Sequence, residues 1–137
     1  MKYTMAFDEW KTQAKKQFPE FTDEIGGYGT PYLLWAKLRD AFFSAYEHRD
    51  ESLIKRIYEY SDWCISQPQG LTAADDLATC VSVCFYEDIP TNRLAREDMP
   101  RWFTASDFFA MQKTFEANLS AAEFEDLKQR FQRAAKA

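Results

Sequence analysis

Thiols are the first groups in this chain whose spacing could support chemistry. Cys80 and Cys84 lie one helical turn apart, and Cys64 precedes them. Thiolates ligate soft metals, but structural zinc needs C-x2-C knuckles or histidines in matching register. The one histidine, His48, is remote in sequence, so no metal site is expected and the thiols read as small buried apolar groups. An i,i+4 disulfide within a helix is also geometrically poor. His48 would have to serve any hydrolytic triad as well. No G-x-S-x-G elbow accompanies it, and Glu47, Arg49, Asp50 and Glu51 around it describe a solvated helix end.

Carboxylates come in sequence pairs at Asp75-Asp76, Glu87-Asp88 and Glu97-Asp98. Adjacent helical residues diverge by about 100°, so such a pair is not a spatial dyad. A di-iron bundle needs Glu-x-x-His motifs on two helices, which one histidine cannot supply. Acid–base work by a carboxylate pair stays open, with no motif behind it. Gly26-Gly-Tyr-Gly29 lacks the P-loop lysine and a Rossmann frame. No catalytic residue, metal or cofactor is expected, and the balance leans away from an enzyme.

The densest collection of recognition-type side chains is the segment from Phe85 to Phe103. It holds Arg93, Arg96 and Arg101, the acids Glu87, Asp88, Glu97 and Asp98, and the rings of Phe85, Tyr86, Trp102 and Phe103, bracketed by Pro90 and Pro100. Arginine offers a rigid fork for carboxylates. One reading is a braced crossover in which the arginines pair with nearby acids while Trp102 and Phe103 plug the core. The other is a recognition surface, with Arg96, Arg101 and Trp102 as hot-spot types. A second cluster, Tyr58, Tyr60, Asp62 and Trp63, admits the same two readings.

The elements that must position these groups are helical. Met5, Phe7, Trp10, Ala14 and Phe18 recur at mostly three and four, giving a helix over 4–18 that Pro19 stops. A connector follows, with Gly26, Gly27 and Gly29 supplying turn conformations. Thr30-Pro31 reads as a hydroxyl cap with proline at the first helical position. It opens a helix over 31–48 whose stripe of Leu34, Leu38, Phe42, Ala45 and Tyr46 is widened by Leu33, Trp35, Ala41 and Phe43. Asp50 caps a third helix to about residue 66, with Leu53, Ile54, Ile57, Tyr58, Ser61, Cys64 and Ile65 inward, forming an antiparallel hairpin with the second. Thr72-Ala-Ala-Asp75 resembles a capping box for a fourth helix over 72–87. The arginine segment then crosses over, with one helical turn at 92–97. Thr104 and Asp107 open a fifth helix to 119, and Ser120-Ala-Ala-Glu123 is a full capping box for the last. The expectation is an all-α, single-domain bundle of about six helices over residues 1–137, with a long Arg/Pro/Trp-containing crossover between the fourth and fifth.

The chain has 137 residues, 46% hydrophobic and 17% aromatic, with a formal net charge of −5. One domain of this size buries a substantial core. The acid excess disfavours a phosphate backbone as partner, so nucleic acid is not expected. Lys128, Arg130, Arg133 and Lys136 make the C-terminal end basic, as suits a helix C-terminus. No secretory signal is read at the N-terminus, no apolar run reaches the roughly 20 residues of a membrane span, and three cysteines suit a reducing compartment. A cytoplasmic protein is expected.

Tyr58-Glu-Tyr-Ser-Asp-Trp-Cys64, Cys84-Phe-Tyr-Glu-Asp-Ile-Pro90 and Arg96-Glu-Asp-Met-Pro-Arg-Trp102 together resemble a bacterial family of uncharacterised helical proteins, over roughly residues 34–103. That resemblance implies a helical fold and carries no established activity. In size and composition the chain is also similar to immunity proteins that neutralise bacterial toxins. The leading expectation is a non-enzymatic, protein-binding module, immunity- or antitoxin-like in one version, with a basic protein as partner. The alternative is a small-ligand binder or enzyme with an inter-helix polar pocket lined by Tyr58, Trp63, Glu87, Arg96 and Arg101. A third reading is a structural homo-oligomer with an exposed apolar face.

Overall fold

The computed structural model describes the backbone of residues 2–70, 72 and 76–136, and the side chains of 9–70, 72 and 76–135. Every regular element among the described residues is helical, and none is a strand. The chain groups into two compact units, Met1–Cys84 and Phe85–Ala137. Nine α-helical segments stand among the described residues where about six helices are expected. The difference comes from added short helices and from one expected helix that breaks.

In the first unit, α1 (Lys2–Gln17) ends before Pro19, and a 3-10 turn, Pro19–Phe21, leads into α2 (Thr22–Gly27). Met5 and Phe7, expected on the inner face of α1, lie outside the described side chains. The buried face of α1 carries Trp10 and Ala14, continued by Phe18 just past its end. Helix α3 (Pro31–His48) begins with Pro31 in the first turn, but the Thr30 hydroxyl makes no capping hydrogen bond. The fixed φ of proline and the extended Thr30 backbone suffice to start it. Left-handed backbone is needed where α3 ends, and it falls on Arg49 (φ 58°); no described glycine has a positive φ. Around Arg49 the Asp50 N–H donates to the Ala45 carbonyl at 2.8 Å, satisfying an orphan helix-end acceptor. This turn delivers Asp50 to cap α4 (Glu51–Ile65), where its carboxylate accepts from the Leu53 N–H.

Helices α3 and α4 pack as the expected hairpin, and α1 packs on α4. Tyr60 stands at the centre: its ring stacks on Trp35 at 5.5 Å and meets Phe18 edge-on at 5.7 Å. Its buried hydroxyl donates to the Trp10 carbonyl at 2.9 Å, tying α1 to α4. Arg56 adds a bidentate clasp to Glu20, at 2.8 and 2.7 Å, and donates to the Gln17 carbonyl. Leu33 and Ile65, expected inward, are 52% and 41% exposed. The fourth expected helix starts later than its Thr72–Asp75 signal, of which residues 73–75 lie outside the described ones. Helix α5 (Leu77–Val81) is capped by Asp76, which accepts from the Thr79 N–H, and a π-helical turn, Ser82–Tyr86, follows.

In the second unit, the arginine segment is more regular than a crossover loop. A 3-10 turn (Ile89–Thr91), α6 (Arg93–Asp98) and another 3-10 turn (Met99–Arg101) fill it, with Pro90 and Pro100 near the starts of the two turns. Asn92 caps α6 through the Ala95 N–H. The expected capping boxes Thr104/Asp107 and Ser120/Glu123 both form, opening α7 (Ala105–Ala110) and α9 (Ala121–Lys136). The expected helix over 104–119 breaks at Met111, which leaves helical dihedrals (φ −112°, ψ 22°), so α8 (Gln112–Glu116) is separate. The core is aromatic: Phe108 stacks on Phe131 at 4.4 Å, and Phe103 meets Phe115 and Tyr86 edge-on at 5.2 and 5.4 Å.

Candidate functional site

Helix α6 and its flanking turns present two kinds of arginine. Arg96 is buried, only 9% exposed. One of its terminal nitrogens donates to the Pro90 carbonyl at 2.9 Å and lies 3.5 Å from Glu123, while its Nε lies 3.4 Å from Asp126. Both acids sit on α9, some 30 residues on, rather than among the neighbouring acids expected to brace it. Arg130 of α9 continues the network to Asp126 at 3.0 Å and to Glu97 at 3.4 Å. The Asp126 carboxyl is held below the usual carboxylate range, first by the Arg130 hydrogen bond and then by Arg96. Glu123 is lowered too, first by the Ser120 N–H and hydroxyl of the capping box, with Arg96 adding its charge. This network fastens α6 to α9.

Arg93 and Arg101 differ from it. The Arg93 side chain is 72% exposed, 3.9 Å from Glu97 one turn away. Arg101 is half exposed and donates to Asp98 Oδ2 at 2.8 Å. The Trp102 Nε1–H donates to the same oxygen at 3.0 Å, and the Arg101 guanidinium lies 4.8 Å from the Trp102 ring centroid. Asp98 thus holds a cation and an indole together at the surface, through i,i+3 and i,i+4 spacing. Asp98 escapes a reading that treats it as half of an acid pair, although its spacing to Arg101 and Trp102 carries the signal. Trp102 is only half buried; Phe103 is the ring that enters the core. Glu87 contributes its carbonyl, which accepts from Asn118, whose amide also reaches the Asp88 carboxylate at 2.9 Å.

Tyr58 and Trp63 belong to the first unit. Tyr58 is buried edge-on against Phe42 at 5.3 Å, and half-buried Trp63 stacks on Tyr60 at 5.8 Å. Both serve the packing of α4. Two surface cavities, one along α3 and one beside α7 and α8, are lined by none of the residues proposed for a polar pocket.

Two of the three thiols are in unreactive settings. Burial pushes the Cys64 thiol up to about 12 and raises Cys80 as well, away from thiolate chemistry. No group of three metal-ligating side chains occurs among the described residues. Ser44 and His48 look like a nucleophile and base, with Oγ 3.4 Å from Nδ1. The Nδ1 atom, however, lies 2.9 Å from the Ser44 carbonyl oxygen, which can only accept. Nδ1 therefore carries the proton and cannot take another from the hydroxyl. No helix is long and apolar enough to cross a membrane among the described residues. Neither protein-family models, nor curated proteins, nor solved structures give a match to this chain.

Proposed function

We propose that this chain is a non-enzymatic, cytoplasmic protein-binding module, immunity- or antitoxin-like in its most concrete version, that meets a basic protein partner. The observation that carries the reading is the Asp98–Arg101–Trp102 constellation at the surface of the second unit. Tryptophan and arginine are the side chains that dominate interface energies. Here they are already held in one geometry by a shared carboxylate, so less conformational freedom is lost on contact. The net charge of −5 speeds encounter with a cationic protein. Membership of the bacterial helical family suggested by the sequence motifs belongs to the same proposal. Arg96 is engaged within its own unit, which favours protein recognition over a ligand pocket built on its guanidinium.

The test is capture from native host lysate at low salt, with wild type beside an Arg101→Ala/Trp102→Ala variant whose melting is first matched to wild type. A basic protein retained by wild type and lost by the variant is the expected result. Equal retention by both, or no partner even after crosslinking, would sink the reading.

A further inference from the structure

The cavity along α3 in the first unit has a chemistry of its own. Its apolar surface comes from Phe21, Ala41 and Leu53. Its polar lining is dominated by acceptors. The Asp40 side chain is 77% exposed, with Arg39 no nearer than 3.7 Å. Asp50 caps α4 through Oδ1 and lies at the rim. With the His48 Nδ1 engaged by the Ser44 carbonyl, Nε2 is the ring nitrogen left to offer. Lys37, the cation of the lining, is drawn to Glu24 at 3.3 Å and lies 4.8 Å from the Phe21 ring centroid.

An anionic ligand would meet two carboxylates here. A neutral apolar one would take water from both and add no donor to the Arg39 and Leu53 contacts they already have. A side chain with an apolar stem and a donor-rich cationic head suits both halves of the lining. The first unit carries 13 Asp and Glu against 9 Lys and Arg, so its field attracts the same charge. We infer that this cavity receives an arginine or lysine side chain of the basic partner, its methylenes against Phe21 and Leu53 and its head between Asp40, Asp50 and His48. The inference rests on the protein-binding reading above and deepens it.

The probe is N-acetyl-arginine amide, titrated into the full-length isotope-labelled chain and followed by amide chemical shifts, with N-acetyl-glutamine amide as the neutral control. Saturable shifts confined to residues 37–53 and residue 21, absent with the control, are expected. Asp40→Asn, at an exposed position that leaves melting unchanged, should weaken the response about fivefold, the scale of one exposed ion pair. Shifts spread evenly over the acidic surface, or an unaltered response in Asp40→Asn, would overturn the assignment. A basic partner captured equally by wild type and Asp40→Asn would also overturn it while leaving the protein-binding reading in place. A titration confined to the cavity with no partner captured would sink the protein-binding reading and, with it, a partner's side chain as the occupant.

Discussion

Arg96 and Arg101 lie on the same helical stretch of the second unit and look interchangeable in the sequence, yet their surroundings are opposite. Arg96 points into protein, donates to the Pro90 carbonyl and lies within ion-pair distance of Glu123 and Asp126. Arg101 is half exposed, with Asp98 and the Trp102 ring beside it. A desolvated guanidinium is held by the fold because removing it strands its acceptors. An exposed one costs the fold little, so its orientation is available for recognition. These two arginines therefore divide by burial: the desolvated one braces, the half-exposed one is displayed.

The largest effect should come from Arg96→Ala. It leaves the Pro90 carbonyl without its donor and two carboxylates of α9 without their shared cation. Those acids are partly solvated, which moderates the loss, so about 2–3 kcal/mol is expected. Chemical denaturation of the variant beside wild type reads it directly. A variant with an unchanged midpoint would erase the distinction between the two arginines. Arg96→Lys should recover only a part, since one ammonium cannot both donate to Pro90 and lie beside two carboxylates as a fork does.

Acid should weaken the same brace with a definite sign. The folded-state values of Asp126 and Glu123 are lowered. Their contribution is thus present above the ordinary carboxylate values of 3.8 and 4.5 and fades as pH falls through the lower folded values. The stability gap between wild type and Arg96→Ala should accordingly narrow as pH drops from neutral toward about 3. Since Arg130 is the first cause of the Asp126 shift, some acid sensitivity should persist in the variant. A gap that stays constant across the range would mean that Arg96 stabilises through packing of its stem alone.

What was legible in the sequence follows the range of the interactions. Helical class, the α3–α4 hairpin, the Asp50 cap and the two capping boxes of the second unit are all written within a few residues of where they act. The burial of Leu34, Leu38 and Phe42 is likewise local periodicity. The α7/α8 break at Met111 has no proline or glycine to announce it. The exposure of Leu33 and Ile65, at the outer ends of the hairpin helices, is set by what packs there rather than by spacing. Positive φ falls on Arg49 and not on the glycine-bearing connector, because the tight α3–α4 turn sets its location. The site divided in the same way. Asp98, Arg101 and Trp102 are within one turn of each other, whereas the partners of Arg96 lie on α9, beyond any local pattern.

The smallest effect on the fold should be that of Arg101→Ala, and its smallness is the informative part. The substitution removes an exposed i,i+3 ion pair and a surface cation–ring contact. Screening by water keeps such contacts to about 0.5 kcal/mol or less for an exposed pair. Asp98 retains the Trp102 indole as a donor. The denaturation midpoint should hardly move, and added salt should move it no further than in wild type. The Trp102 fluorescence should nevertheless change, because the cation 4.8 Å from its ring is gone. A loss as large as that of Arg96→Ala would make Arg101 a second brace and remove the constellation on which recognition is proposed. A silent midpoint with altered fluorescence would leave a side chain oriented by its neighbours and free of the fold's demands, the state in which an interface residue can be changed without unfolding what presents it.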